Sequence, residues 1–384
     1  MNTLRSHPAI ARLQTPFVFL ALATVVMALS FSTWLALLNN FAIESAAFTG
    51  AEIGMLQSLR EIPGLLAFTA AFVLLALKEQ TFAIISLAIL SIGVAITGLL
   101  PSVYGLYATT IIMSVGFHYY ETVNQSLSLQ WFSKQEAPEK LGKLLSIKSA
   151  SSLVAYGVVW LGFSVFAVSY QSMYFMVGSV GLLLVILLAV LMPSFNHGPQ
   201  QHKKLILRKR YSLYYVLTFF SGARRQIFVV FAGFLMVEKF GYSVAQISAL
   251  YMANHVLNFF IAPKIGAWIG RVGERRALTI EYIGLILVFI GYALVESADL
   301  AAVLYIVDHL FFAMAIALKT YFQKIADPQD IAGSAGVSFS INHIAAVIIP
   351  ATFGLIWLID HSLVFYAGAA LAGVSLILTQ RIKL

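Results

Sequence analysis

Apolar positions in this chain come in long blocks, broken by short polar stretches, with none of the strict alternation that marks half-buried strands. An α-helix needs roughly 20 mainly apolar residues to cross about 30 Å of hydrocarbon. Blocks of that kind recur near 17–40, 52–77, 81–100, 103–131, 144–168 and 170–192, and again near 212–237, 243–270, 277–296, 299–325, 331–358 and 361–381. The one long polar connection, NHGPQQHKKLILRKR (196–210), falls between the sixth block and the seventh. The pattern predicts an all-α membrane protein with twelve transmembrane helices in two six-helix bundles. Residues 1–195 form the first bundle, 196–211 a cytoplasmic linker and 212–384 the second.

Composition narrows the class further. Of the 384 residues 60% are hydrophobic and 10% charged, against about 25% charged in soluble domains, so no soluble domain is expected. The formal net charge of +8 follows topology and does not suggest a nucleic-acid partner. One side collects Arg5, Arg12, Lys78, Lys134, Lys140, Lys143, Lys203, Lys204, Arg208, Lys209, Arg210, Arg271, Arg275, Arg276, Arg381 and Lys383, while the opposite loops hold Glu44, Glu238, Lys239, Glu296, Asp299 and Asp360. By the positive-inside rule both termini are expected in the cytoplasm. The first block is longer than a signal-peptide core and lacks a clear cleavage site, so it reads as the first span. The chain has no cysteine, which removes disulfides, thiol catalysis and cysteine-ligated metals.

The two halves are related. A shift of 194 positions sets FTGAEIGMLQSLRE (48–61) over YSVAQISALYMANH (242–255), so that Arg60 and Glu61 fall on Asn254 and His255; a shift of 191 sets His118 on His309. The halves read as parallel repeats about an axis along the membrane normal. Twelve spans in two halves, the basic central loop and GAWIGRVGERR (266–276) after the eighth span resemble the major facilitator superfamily. Gly266, Arg271, Gly273, Arg275 and Arg276 fit its loop signature, Gly270 stands at the acidic position, and the equivalent loop LALKEQTF in the first half has almost lost the motif. The resemblance implies spans 1, 4, 7 and 10 around a central cavity and spans 3, 6, 9 and 12 towards lipid. It also implies a gating role for Arg271, Arg275 and Arg276.

Ionisable groups at membrane depth are costly and should avoid lipid. Spans 3, 6 and 12 lack them at mid-depth, and span 9 has only Glu281 and Glu296, read as lying near its ends. Spans 2, 4, 7, 8, 10 and 11 carry the rest: Arg60 and Glu61; His118 and Glu121; Arg224 and Arg225; His255; Asp308, His309 and Lys319; and His343. Helical spacing places His118, Glu121, Gln125 and Ser128 on one stripe, and Tyr251, Asn254, His255 and Asn258 on one arc. Arg60 and Glu61, about 100° apart on a helix, are expected to find separate partners across the bundle rather than each other. The sequence does not choose between Arg224 and Arg225 as the inward-facing arginine. Lys148 and Lys264 read as snorkelling residues.

No phosphate-binding loop and no metal-ligand spacing occurs; no cofactor, metal or catalytic activity is expected, and energy should come from a gradient. These observations, with the resemblance, imply a monomeric secondary transporter of the bacterial inner membrane working by alternating access. It would move a small organic solute, anionic or zwitterionic, with protons as the coupling ion. Arg60, Glu61, His118, Glu121, Gln125, Arg224, Asn254, His255, Asp308, His309, Lys319 and His343 are the candidate binding or coupling residues. The alternatives are a proton-driven exporter of amphipathic compounds or drugs and, in another class, a non-transporting membrane receptor or a lipid scramblase.

Overall fold

The computed structural model describes residues 14–132, 137–195, 207–327 and 331–382. Arg5, Arg12, Lys134, Lys203, Lys204, Lys383 and the linker up to residue 206 lie outside the described residues. Within them the secondary structure is helical, with no strand.

The first half carries α1 (Pro16–Ala46), α2 (Gly50–Leu65), α3 (Ala70–Val73), α4 (Glu79–Thr97), α5 (Val103–Trp131), α6 (Ala137–Ser164) and α7 (Tyr170–Leu191). The second carries α8 (Ser212–Ile227), α9 (Gly233–Glu238), α10 (Val244–Val272), α11 (Glu274–Leu294), α12 (Ala298–Met314), α13 (Ile316–Ile325), α14 (Ile331–Trp357) and α15 (His361–Thr379). Among the described residues nine helices are long and apolar enough to cross a membrane. The helices of spans 2, 4 and 8 fall outside that set; they are the ones whose sequence carries the densest polar stripes.

Local chemistry sets the ends. Thr15 caps α1, its Oγ1 accepting the Val18 amide at 3.3 Å, and Pro16 occupies the first turn, where no amide donor is needed. Ser243 and Gln246 form a reciprocal capping box at the start of α10. Asp360 caps α15, and the Ser362 amide that it accepts holds its carboxyl below the usual carboxylate range. Between α10 and α11 the chain turns on Gly273 at φ 84°, a conformation that side chains resist.

Three expected spans are not continuous α-helix. Span 2 ends its α-helix at Leu65, two residues after Pro63, which lacks an amide donor, and continues through a 3₁₀ turn (Ala67–Thr69) into α3. Span 7 passes through a π-helical segment, Phe228–Ala232, between α8 and α9. Span 10 breaks at Ala315, between α12 and α13.

The chain forms two compact units. One contains Met1–Ala47 and Ile62–Gln200, the other Phe48–Glu61 and Gln201–Leu384. Inside the first, α4 packs on α5 and α7, and α1 on α6 and α7; inside the second, α11 packs on α12 and α15, and α8 on α14 and α15. In span numbers these are 3–4, 3–6, 1–5 and 1–6 against 9–10, 9–12, 7–11 and 7–12, so the repeat seen in the sequence is also a repeat of packing. Lipid gives apolar helices little reason to associate, so close fit and polar contacts must hold them. The buried Ser32–Ser152 hydrogen bond (2.9 Å) supplies one such contact between α1 and α6. In the second unit the first half of α2 lies directly against α14. A side chain at Gly54 would collide with the Pro350 carbonyl and Gly354, and Ser58 Oγ accepts the Ala351 amide at 2.9 Å.

Candidate functional site

The charges of span 2 are buried, Arg60 and Glu61 each only 7% exposed. Contrary to expectation they pair with each other: Arg60 Nε donates to Glu61 Oε1 at 3.0 Å, and Arg60 Nη2 makes a closer contact with the same oxygen. The reason is side-chain length. Two Cβ atoms 100° apart diverge, but the three methylenes of arginine let its guanidinium swing back across the helix surface to the neighbouring carboxylate.

The second oxygen, Oε2, faces His343 Nε2 on α14 at 3.7 Å. His343 Nδ1 lies 2.9 Å from the Phe339 carbonyl; a carbonyl can only accept, so Nδ1 carries a hydrogen. A neutral ring would then turn the Nε2 lone pair towards an ionised carboxylate. The approach is favourable when one further proton sits on Nε2 or on Glu61. The arrangement can therefore hold or release one proton at a defined place, with Arg60 attached to the same carboxylate. Arg225 on α8 is exposed, and its charge acts on Glu61 and Arg60.

A second group of charges lies deeper in the same unit. Arg224, 3% exposed, donates from Nε to the Phe220 carbonyl at 3.2 Å and stacks its guanidinium over the Tyr282 ring at 4.3 Å. It shares a small pocket with Glu281 and Asp308, which are 3% and 0% exposed. Of the two arginines left open by the sequence, Arg224 is enclosed and Arg225 is exposed. Glu281 was missed as a site residue. Because Gly273 turns so tightly, α11 begins at Glu274 rather than near 277, which puts Glu281 two turns inside the helix; it is buried, not at a lipid-facing end. Its signal in the sequence was a carboxylate seven residues past Glu274, at the head of the apolar run YIGLILVFIGYAL (282–294).

The other candidates separate. His309 directs Nδ1 to the Tyr305 carbonyl (3.0 Å) and packs against Phe228. Asn254 is buried and neither its Oδ1 nor its Nδ2 has a hydrogen-bond partner among the described residues, while His255 on the same helix acts electrostatically on His309. Lys319 is exposed. In the first unit the span 4 stripe does not share one environment: His118 and Ser128 are buried, Glu121 is partly exposed and Gln125 is exposed. Lys148, expected to snorkel, lies 3.4 Å from Glu121. At the loop signature, Arg275 donates to the Gln380 amide oxygen at 3.1 Å, while Arg271 and Arg276 are exposed. Glu274, beside the signature, is buried and ion-paired to Lys324 at 2.7 Å.

Repeated helical bundles with paired charges held inside their spans define a multi-pass membrane protein of the transporter class. A family model described as Major Facilitator Superfamily matches residues 20–350, and the chain belongs to that superfamily. No curated protein matches. Among solved structures the chain is similar to the nucleoside transporter NupG, at 17% identity over 96% of this chain and 100% of that one, with a TM-score of 0.75. It is also similar to a D-xylose-proton symporter, at 10% identity over 95% and 97%, with a TM-score of 0.74. A bacterial homolog of the human lysosomal transporter Spinster gives 13% identity over 95% and 94%, with a TM-score of 0.69. At these identities the likeness is one of fold.

Proposed function

We propose that the chain is a proton-coupled secondary transporter of a small organic solute bearing an anionic or zwitterionic group, with Glu61 carrying the coupling proton. The observation that carries this reading is the position of the Glu61 carboxylate between Arg60 and a His343 ring whose Nδ1 is committed to Phe339. A coupling carboxylate must be protonated in one stage of the cycle and ionised in another, and this one has a base and a cation on its two sides. Glu121 is the weaker candidate, since it is partly exposed and already faces Lys148.

The anionic preference rests on charge balance. Glu61 offsets one of two guanidiniums, and the exposed Arg225 is the group placed to receive an acidic function of the solute. Proton symport, which one neighbour carries in its name, is consistent with the reading. The same proposal places the chain in a bacterial inner membrane as a monomer, with both termini cytoplasmic, two bundles joined by 196–211, and Arg271, Arg275 and Arg276 as gating residues.

The test is transport in proteoliposomes. Glutamine keeps the shape of Glu61 but cannot release a proton, so Glu61→Gln should abolish solute accumulation driven by a pH jump while counterflow exchange persists. Accumulation at the wild-type level in Glu61→Gln would remove Glu61 from the coupling role.

A further inference from the structure

The pocket formed by Arg224, Glu281 and Asp308 has an unbalanced charge. Neither oxygen of Asp308 has a hydrogen-bond partner among the described residues, nor do Glu281 Oε2 and Arg224 Nη1. Four polar atoms, on side chains at least nine-tenths buried that line one pocket, thus make no hydrogen bond to one another. The Arg224 charge reaches both carboxylates, and the two carboxylates act on each other. One guanidinium against two carboxylates leaves one negative charge over.

The other titratable groups around the pocket do not remove it. Arg225 contributes to the wall, but it is exposed and its charge acts on Glu61, Arg60 and His309. His309 commits Nδ1 to Tyr305, and the Tyr292 hydroxyl, within electrostatic range of Asp308, donates to the Ala301 carbonyl at 3.1 Å. Tyr282 lies under the Arg224 guanidinium. An uncompensated ionised carboxylate in such a place costs several kcal/mol.

A metal cation is a poor match for the surplus charge. Hard cations take about six or more oxygens, whereas this wall adds the Ser221 hydroxyl to the two carboxylates, is otherwise lined by Phe228, Leu285, Phe289 and Ala315, and holds the Arg224 guanidinium, which repels a cation. A proton needs a single oxygen and no coordination shell.

We propose that this pocket is a proton-binding site of the second unit, in which one proton is held by Asp308 and Glu281 beside Arg224, separately from the proton at Glu61. Binding converts one carboxylate to a carboxylic acid, with no other bond made or broken. Its part in a transport cycle rests on the proton-coupled reading; the site itself does not.

Infrared difference spectroscopy of the full chain in lipid nanodiscs, with pH stepped around neutrality, tests the site directly. The wild type should show a carboxylic-acid C=O band at neutral pH. Asp308→Asn should lose or shift it, Glu281→Gln should shift it, and Glu61→Gln should leave it in place. Asparagine reproduces the shape of a neutral aspartic acid, so Asp308→Asn should fold with a thermal midpoint near that of the wild type. If it does not fold, the Glu281→Gln spectrum decides. A neutral-pH band that is absent in the wild type, or unaltered in each folded variant at these two positions, overturns the proposal. Retention of the band in a protein that never concentrates solute uphill would instead sink the transport reading and leave the proton site standing.

Discussion

At the scale of single residues, the Arg60–Glu61 pair makes a thermodynamic statement of its own. Both side chains are about nine-tenths buried, at 8% and 10% exposure, so removing one member leaves the other charge enclosed; for buried pairs that step costs about 3–5 kcal/mol. Arg60→Ala should therefore lower the thermal midpoint strongly. The double variant Arg60→Ala with Glu61→Gln should recover much of the loss, because no orphaned charge remains. Equal midpoints for the single and double variants would show that the arginine acts through packing alone. The sequence made the depth and cost of this pair plain but not its partner, because the spacing rule describes where Cβ atoms point and a long side chain can turn back. Glu121 and Lys148 escaped for a similar reason: each was legible alone, and only the fold brings span 5 beside span 4 at that height.

At the scale of elements, hydrophobic blocks located helices, nine of them among the described residues long and apolar enough to cross a membrane, while backbone irregularities stayed hidden. Pro63 announces the end of α2, yet nothing local in MAI (314–316) marks the break at Ala315, and a π-helical segment leaves no compositional trace in FVVFA. These depend on how the rest of the unit packs around the helix. The α2–α14 contact is similar, since Gly54 and Gly354 read as two of many glycines until the backbones are seen to meet. Gly54→Ala should force the two helices apart, an overpacking cost of about 1–3 kcal/mol, visible as a lower thermal midpoint. Gly157→Ala, whose added methyl meets open space, is the control and should leave the midpoint near the wild type. A midpoint for Gly54→Ala as high as the control would mean that the helices tolerate separation.

At the scale of the whole molecule, the internal repeat was readable because both halves keep the same apolar rhythm, and the packing pairs of the two units repeat it. What the rhythm could not convey is that residues 48–61 belong with the second unit although the chain makes them with the first. That has a consequence for biosynthesis. Span 2 enters the bilayer when the ribosome has only just completed it, long before position 343 exists. A glutamate waiting for a distant histidine would cross into lipid as a bare charge, but one already joined to its neighbour goes in as a nearly neutral couple. On an additive scale, deleting the arginine should ease insertion by about 2.5–3.5 kcal/mol. With residues 48–77 as a guest segment in a translocon insertion assay, Arg60→Ala should gain much less than that, because it strips the glutamate of its escort; a full additive gain would show that the couple forms only after insertion. With the smaller gain, the adjacent arginine serves the newborn helix first and the finished protein afterwards.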